Sequence, residues 1–291
     1  MSFLVRWLSH RPLWLLHSLG AFVGWLSYAL SPSYRRRFQA NTALASVPAA
    51  ASGPAVAEAG RLAFELPFLW LRAADQPIGP ALTMHGAELV EAAHVQGRGI
   101  VFLTPHLGCF EVTAQAIAER FAARHGPITV LYRPARQAWL RELMDGSRAR
   151  PGLATAPATL AGVRQLIRAL RRGEAVGLLP DQVPPEGMGV WAPFFGRPAY
   201  TMTLAARLVQ QTGAVLLLVW GERLPRGAGY AVRFSTFEST LPADANALAE
   251  SAAVINHAME QLILQCPQQY LWGYNRYKQP RAQPSSVALG A

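Results

Sequence analysis

Between residues 99 and 220 four short apolar runs alternate with helical patterns. The runs are residues 99–103 (GIVFL), 128–132 (ITVLY), 175–179 (AVGLL) and 214–220 (AVLLLVW). Runs this short, rich in Val, Ile and aromatic residues, read as buried strands. Between or after them lie helical patterns at 110–124, 137–144, 160–172 and 201–211. The third is the clearest, with Val163, Leu166, Ile167 and Leu170 on one side and Gly173 as its stop. Residues 230–234 alternate as an edge strand, and 245–264 form a long helix. Residues 38–60 read as a short helix and a loop, and 61–72 as an aromatic helix. This order predicts an α/β fold with a central, largely parallel sheet flanked by helices. In such sheets reactive groups gather where strands end and helices begin.

His106 occupies such a place. The first strand runs directly into Thr104-Pro105-His106-Leu107-Gly108-Cys109-Phe110-Glu111. On one continuous helix, residues five apart point about 140° away from each other. Pro105 disfavours helix at Thr104 and Gly108 loosens the backbone, so His106 is expected in a turn and Glu111 in the first helical turn. A carboxylate placed there orients an imidazole and raises its basicity, as a general base requires. The neighbouring Cys109 reads as a small buried hydrophobe, not a nucleophile.

The chain has 291 residues, 51% of them hydrophobic and only 15% charged, with a net charge of +10. Lys278 is the one lysine, so the charge is carried by arginine. A basic, apolar chain suits nucleic acid, an anionic membrane surface, or an acidic protein or substrate. No nucleic-acid module and no interleaving of basic and aromatic residues on one strand is present, which argues against nucleic acid. Cys109 and Cys266 form no CxxC pair, which argues against a disulfide framework or a cysteine zinc site. Residues 12–30 contain no Asp, Glu, Lys or Arg, and Arg35-Arg36-Arg37 follow shortly after. That stretch just suffices to cross a bilayer, and the arginines after it place the main body on the cytoplasmic side. An interfacial helix and a cleaved signal peptide are the rival readings of the same stretch. The expected division is a membrane-anchoring helix over 1–34, a catalytic domain over 35–280 and a flexible tail over 281–291.

Further motifs sit at comparable strand ends. They are Tyr132-Arg133-Pro134, Arg148-x-Arg150, Pro180-Asp181-Gln182, Phe194-Phe195-Gly196-x-x-Ala199-x-Thr201 and Tyr270-x-Trp272-x-x-x-Arg276-x-Lys278. With His106-x4-Glu111 at their head, and in this order, they resemble the late lipid A acyltransferases. Those are the lauroyl and myristoyl transferases of Gram-negative inner membranes, within the wider lysophospholipid acyltransferase group. The resemblance covers roughly residues 35–278 and the N-terminal anchor; each motif is weak alone, and their order makes them specific.

The resemblance implies a membrane-associated O-acyltransferase needing no cofactor. Its donor would be an acyl thioester of acyl carrier protein or coenzyme A, and its acceptor a hydroxyl of a lipid A precursor. It further implies His106 as general base with Glu111 as its partner, and Arg133, Arg148, Arg150 and Asp181 as substrate-binding residues. It places the protein at the inner membrane, catalytic domain on the cytoplasmic side. No G-x-S-x-G nucleophile elbow is present, consistent with direct transfer. Another lipid acceptor (an ornithine lipid, a lysophospholipid or a glycolipid) and a non-catalytic membrane-binding protein are the alternatives. A metal hydrolase using His106 and Glu111 as ligands lacks a third ligand, since His85, His94, His125 and His257 show no ligand spacing. For Arg133, Arg148 and Asp181 an internal ion-pair network competes with substrate binding.

Overall fold

The computed structural model describes residues 3–132 and 150–281. Four helices open the chain: α1 (Phe3–Ser9), α2 (Leu13–Leu30), α3 (Pro32–Leu44) and α4 (Ala49–Trp70). Pro32 starts α3, where its missing N–H costs nothing, and the Ser31 hydroxyl accepts from Tyr34 N. The stretch 38–60, expected as a short helix and a loop, is instead the end of α3 and half of α4. The helix α4 continues through both Pro54 and Pro67. Interior prolines remove a backbone bond; here tertiary packing overrides them, because α2 lies along one side of α4 and a buried ion-pair network holds another.

The α2–α4 contact is made backbone to backbone. A Cβ at Gly60 would stand 1.9 Å from the Gly20 carbonyl oxygen, and one at Gly24 would stand 2.5 Å from the Val56 carbonyl oxygen. Leu13, Leu16, His17, Gly20 and Gly24 form the buried stripe of α2. Its other side exposes Trp14, Phe22, Trp25, Leu26 and Leu30. Among the described residues α2 is the helix long and apolar enough to cross a membrane, with a mean hydropathy of 1.4.

Among the described residues nine strands follow: β1 (Leu82–His85), β2 (Ile100–Leu103), β3 (Ile128–Tyr132), β4 (Leu153–Pro157), β5 (Ala175–Leu178), β6 (Gly189–Phe194), β7 (Arg197–Met202), β8 (Val215–Arg223) and β9 (Tyr230–Thr236). Interleaved with them are α5 (Ala87–Val95), α6 (Phe110–His125), α7 (Leu160–Arg171), α8 (Leu204–Thr212) and finally α9 (Leu248–Gln265). The main sheet has the order β1-β9-β8-β2-β5-β3-β4. From β8 to β4 it is parallel, and only the β8–β9 pairing is antiparallel. The predicted α/β class and the mostly parallel sheet flanked by helices are what the chain adopts.

Both sheet faces are covered at the centre, which is why β2 and β5 lack polar alternation. Ile100 and Phe102 enter one core with Val112, Phe121 and Phe234. Val101 and Leu103 enter the other with Leu166, Leu170, Met259 and Leu262. Three elements differ from their reading in sequence. The strand β9 is not at the edge, since β1 pairs alongside it. The stretch read as a helix from 201 begins at Leu204, and Thr201 belongs to β7. The aromatic stretch 193–201, placed after a strand end in the sequence, lies within the β6–β7 hairpin, with Phe195 at φ 47° in its turn. The helix expected over 137–144 lies outside the described residues.

Candidate active site

The strands β2 and β5 are adjacent and parallel, with Leu103 opposite Leu178. Three residues past each partner stand His106 and Asp181. Equal offsets from one register pair bring the two side chains together at the carboxyl end of the sheet. His106 Nδ1 lies 2.7 Å from Asp181 Oδ1, and the His106 backbone N–H donates to Oδ2 at 2.9 Å. The Tyr270 hydroxyl donates to the same Oδ2 at 3.2 Å. Asp181 is 2% exposed. Burial would raise its carboxyl pKa, but the charge of the facing His106, the side-chain and backbone hydrogen bonds from His106, and the Arg276 guanidinium outweigh it and hold the pKa below the ordinary value.

This carboxylate fixes the tautomer of the ring. With Nδ1–H donated to Asp181, the Nε2 lone pair points outward. There it meets Gln182 Nε2 at 2.8 Å. The ring edge of Phe110 packs on the imidazole, centroids 4.6 Å apart.

The carboxylate on His106 Nδ1 is that of Asp181. Glu111 lies where the sequence put it, in the first turn of α6, but its Oε2 accepts from Trp70 Nε1 at 3.4 Å. The turn after β2 directs the imidazole along the sheet end towards β5, while the first turn of α6 faces the end of α4. Two backbone N–H groups before α6 are already engaged: Gly108 N donates to Gln269 O and Cys109 N to Gly221 O. Cys109 is fully buried, and burial together with the Glu65 carboxylate pushes its thiol pKa well up, which suits a structural residue.

Of the expected substrate-binding residues, Arg133 and Arg148 lie outside the described residues. Arg150 is described and buried. Its Nη1 donates to Ala73 O at 3.0 Å, and its Nη2 to Leu69 O at 2.9 Å and Arg72 O at 2.8 Å. Those carbonyls belong to the end of α4 and the residues after it, where a cation suits the helix dipole. This guanidinium fork clamps the end of a helix through backbone carbonyls.

Residues outside the motif hold the turn in shape. Gly108 has φ 59°, and a Cβ there would stand 2.0 Å from Gly221 O. Gln269, Tyr270 and Leu271 run past the turn on its other side, with Leu271 N donating to His106 O at 3.2 Å. The aromatic-basic segment near the C-terminus thus belongs to the interior: Tyr270, Trp272 and Arg276 are all buried. Its Arg276 donates to Tyr200 O and to the Thr201 hydroxyl. Nothing in the sequence marks Gly221 or Gln269, because their role depends on two distant segments meeting. Gly108→Ala is expected to cost roughly 3 kcal/mol, combining a left-handed backbone with a backbone clash. Chemical denaturation checks this, and a midpoint equal to that of the wild type would contradict the described turn.

The comparisons with known proteins agree with this architecture. The family model described as bacterial lipid A biosynthesis acyltransferase matches residues 4–279. The chain is 29% identical over 213 residues to the lipid A biosynthesis lauroyltransferase of Escherichia coli (strain K12), covering 72% of this chain and 67% of that protein. It is 26% identical over 218 residues to the lipid A biosynthesis palmitoleoyltransferase of the same organism, covering 74% and 67%. A lipid A biosynthesis acyltransferase of Haemophilus influenzae is 24% identical over 190 residues, covering 64% and 56%. With a strand-turn-helix site at the carboxyl end of a parallel sheet and a family model matching nearly its whole length, this chain belongs to the bacterial lipid A biosynthesis acyltransferase family.

Proposed function

We propose that this acyltransferase moves a fatty acyl chain from an acyl thioester, of acyl carrier protein or coenzyme A, to a hydroxyl of a lipid A precursor. The observation that carries the mechanism is the Asp181–His106 pair, with Nε2 facing outward from a fixed ring. In this reading His106 is the general base and takes the hydroxyl proton. Asp181 positions the ring and stabilises the imidazolium that forms, as a buried carboxylate does in other base-assisted acyl transfers. Glu111, in the first turn of α6, is kept as a second catalytic candidate. Arg133 and Arg148 are proposed to hold anionic groups of donor or acceptor, for which planar forks are suited.

The N-terminal 34 residues are proposed to carry the membrane contact and residues 35–280 the chemistry. An interfacial placement of α2 is favoured over a span. One stripe of the helix is committed to α4, and His17 within it is buried and 3.1 Å from Glu65. The opposite side offers Trp14, Phe22, Trp25 and Leu30 to lipid. Arg36 and Arg37, exposed on α3, would lie against anionic headgroups at the cytoplasmic leaflet. Cutting away residues 1–30 would uncover the glycine face of α4 and remove the His17 partner of Glu65. Point substitutions are therefore the better probe of the anchor.

The test is direct. The purified full chain receives a radiolabelled acyl thioester and a lipid A precursor, and the lipid is weighed by mass spectrometry. A mass increase of one acyl chain is expected, with no gain from ornithine lipid or lysophospholipid. Transfer to one of those acceptors alone would overturn the acceptor assignment. In the same experiment Phe22→Glu with Leu26→Glu should leave anionic vesicles on flotation; full retention would overturn the interfacial placement.

A further inference from the structure

Gln182 has no part in the reaction described so far, yet its side chain lies on the reactive lone pair. Asp181, its neighbour, is buried and fixed, and Val183 N donates to the Tyr274 hydroxyl at 3.0 Å, so the backbone at 182 is held on both sides. The Gln182 side chain itself is exposed at the mouth of the site. Its amide nitrogen stands 2.8 Å from His106 Nε2. Since Nδ1–H is donated to Asp181, Nε2 is an acceptor and the amide N–H is the donor that fits it. An acceptor hydroxyl must place its own proton on this same lone pair. Hydroxyl and amide therefore compete for one position.

The competition matters because the base does not distinguish its nucleophiles. In transfer, the hydroxyl proton passes to Nε2, its oxygen bonds the thioester carbonyl carbon, and the C–S bond breaks. The departing thiolate then takes the proton from Nε2. If water replaces the hydroxyl, the same steps release a free fatty acid and the thiol, and the donor is wasted. We propose that Gln182 is a specificity-determining residue whose amide covers the base against water and yields to the lipid hydroxyl. A hydroxyl tethered to a bound lipid displaces the amide with the help of the rest of its binding energy; a single water has no such help. This inference rests on the reading of His106 as the base.

The experiment compares the full-length wild type with Gln182→Ala and Gln182→Glu. Each receives acyl-coenzyme A, and in parallel acyl-carrier protein, with lipid A precursor, and free fatty acid and acylated lipid are measured together. Glu keeps the shape of Gln but, ionised, has no N–H to donate. Both variants are expected to raise the ratio of hydrolysis to transfer about tenfold, the effect of losing one hydrogen bond of ordinary net strength. Thiol release without acceptor should rise with it. The ratio does not depend on what fraction of a preparation is folded. An unchanged ratio in both variants, with normal transfer by the wild type, overturns this inference alone. A wild type that transfers no acyl group to the lipid A precursor overturns the proposed function, and this inference with it.

Discussion

His106→Ala is expected to lower acyl transfer by about two orders of magnitude or more, the usual loss when a general base is removed. Asp181→Asn should come close to it for a different reason. An Asn amide keeps the volume and can still face the ring, but its NH2 would donate to Nδ1. The ring would then carry its proton on Nε2, and the lone pair that receives the hydroxyl proton would be gone. The buried Tyr270 hydroxyl can still donate to the amide oxygen, so the fold should survive the exchange. Because the Asp181 pKa is lowered in the folded protein, the sign with pH is fixed. Its stabilising contribution is present above the unfolded carboxylate pKa and is lost only as pH falls through the lower folded value. Transfer assays with thermal midpoints on the same preparations check both variants. Near-normal transfer by His106→Ala would remove the mechanism, and near-normal transfer by Asp181→Asn would show that the carboxylate does not set the tautomer.

The contrast between Glu111 and Asp181 shows which part of this site can be read from a sequence. The strand, the turn and the start of α6 are local matters. The run 100–103, Pro105 and the positive φ of Gly108 determine them within a dozen residues, and they stand as expected. The identity of the carboxylate on His106 is not local. It depends on β2 and β5 being neighbours in register across 75 residues of chain, and periodicity carries no information about strand order. Position 181 was visible as a carboxylate after a strand; its partner was not. The same limit hid the roles of Gly221 and Gln269. A different failure concerns α4. Its Gly53, Pro54 and many alanines look like a loop, because intrinsic propensity is weak beside the packing that α2 and the buried network supply. The β6–β7 hairpin was missed because Pro193 and Pro198 interrupt it, and a two-stranded ribbon with open edges tolerates them.

The buried network under the site should dominate stability as His106 dominates activity. Arg223, at the end of β8, donates through Nε and Nη2 to Glu65 at 2.8 and 2.5 Å and through Nη1 to Glu58 at 2.5 Å. His17 from α2 and the Tyr230 hydroxyl complete the shell around Glu65, at 3.1 and 3.2 Å. One guanidinium thus ties the sheet to α4, and through Glu65 to α2. Arg223→Met keeps most of the volume and leaves the Glu65 carboxylate, 0% exposed, without its main counter-charge. Breaking a buried pair from one side costs about 3–5 kcal/mol, which for a chain of this size is a fall in thermal midpoint of roughly 10 °C. Adding Glu65→Gln and Glu58→Gln should recover much of the loss, since the stranded charges go with the cation.

The pH dependence separates this account from simple loss of packing. Burial opposes ionisation of Glu65, yet Arg223 and His17 bring its pKa down to about 2 in the folded protein from an ordinary 4.5. The wild type therefore has the full contribution of Glu65 above about pH 4.5 and loses it between there and about pH 2. In Arg223→Met the same carboxyl is buried without the guanidinium and takes up a proton more readily. The stability gap between wild type and variant should be widest at neutral pH and narrow steadily on acidification. Urea unfolding at pH 7, 5 and 4 measures that gap; a constant difference across the series would mean that the side chain acts by filling space and not by charge.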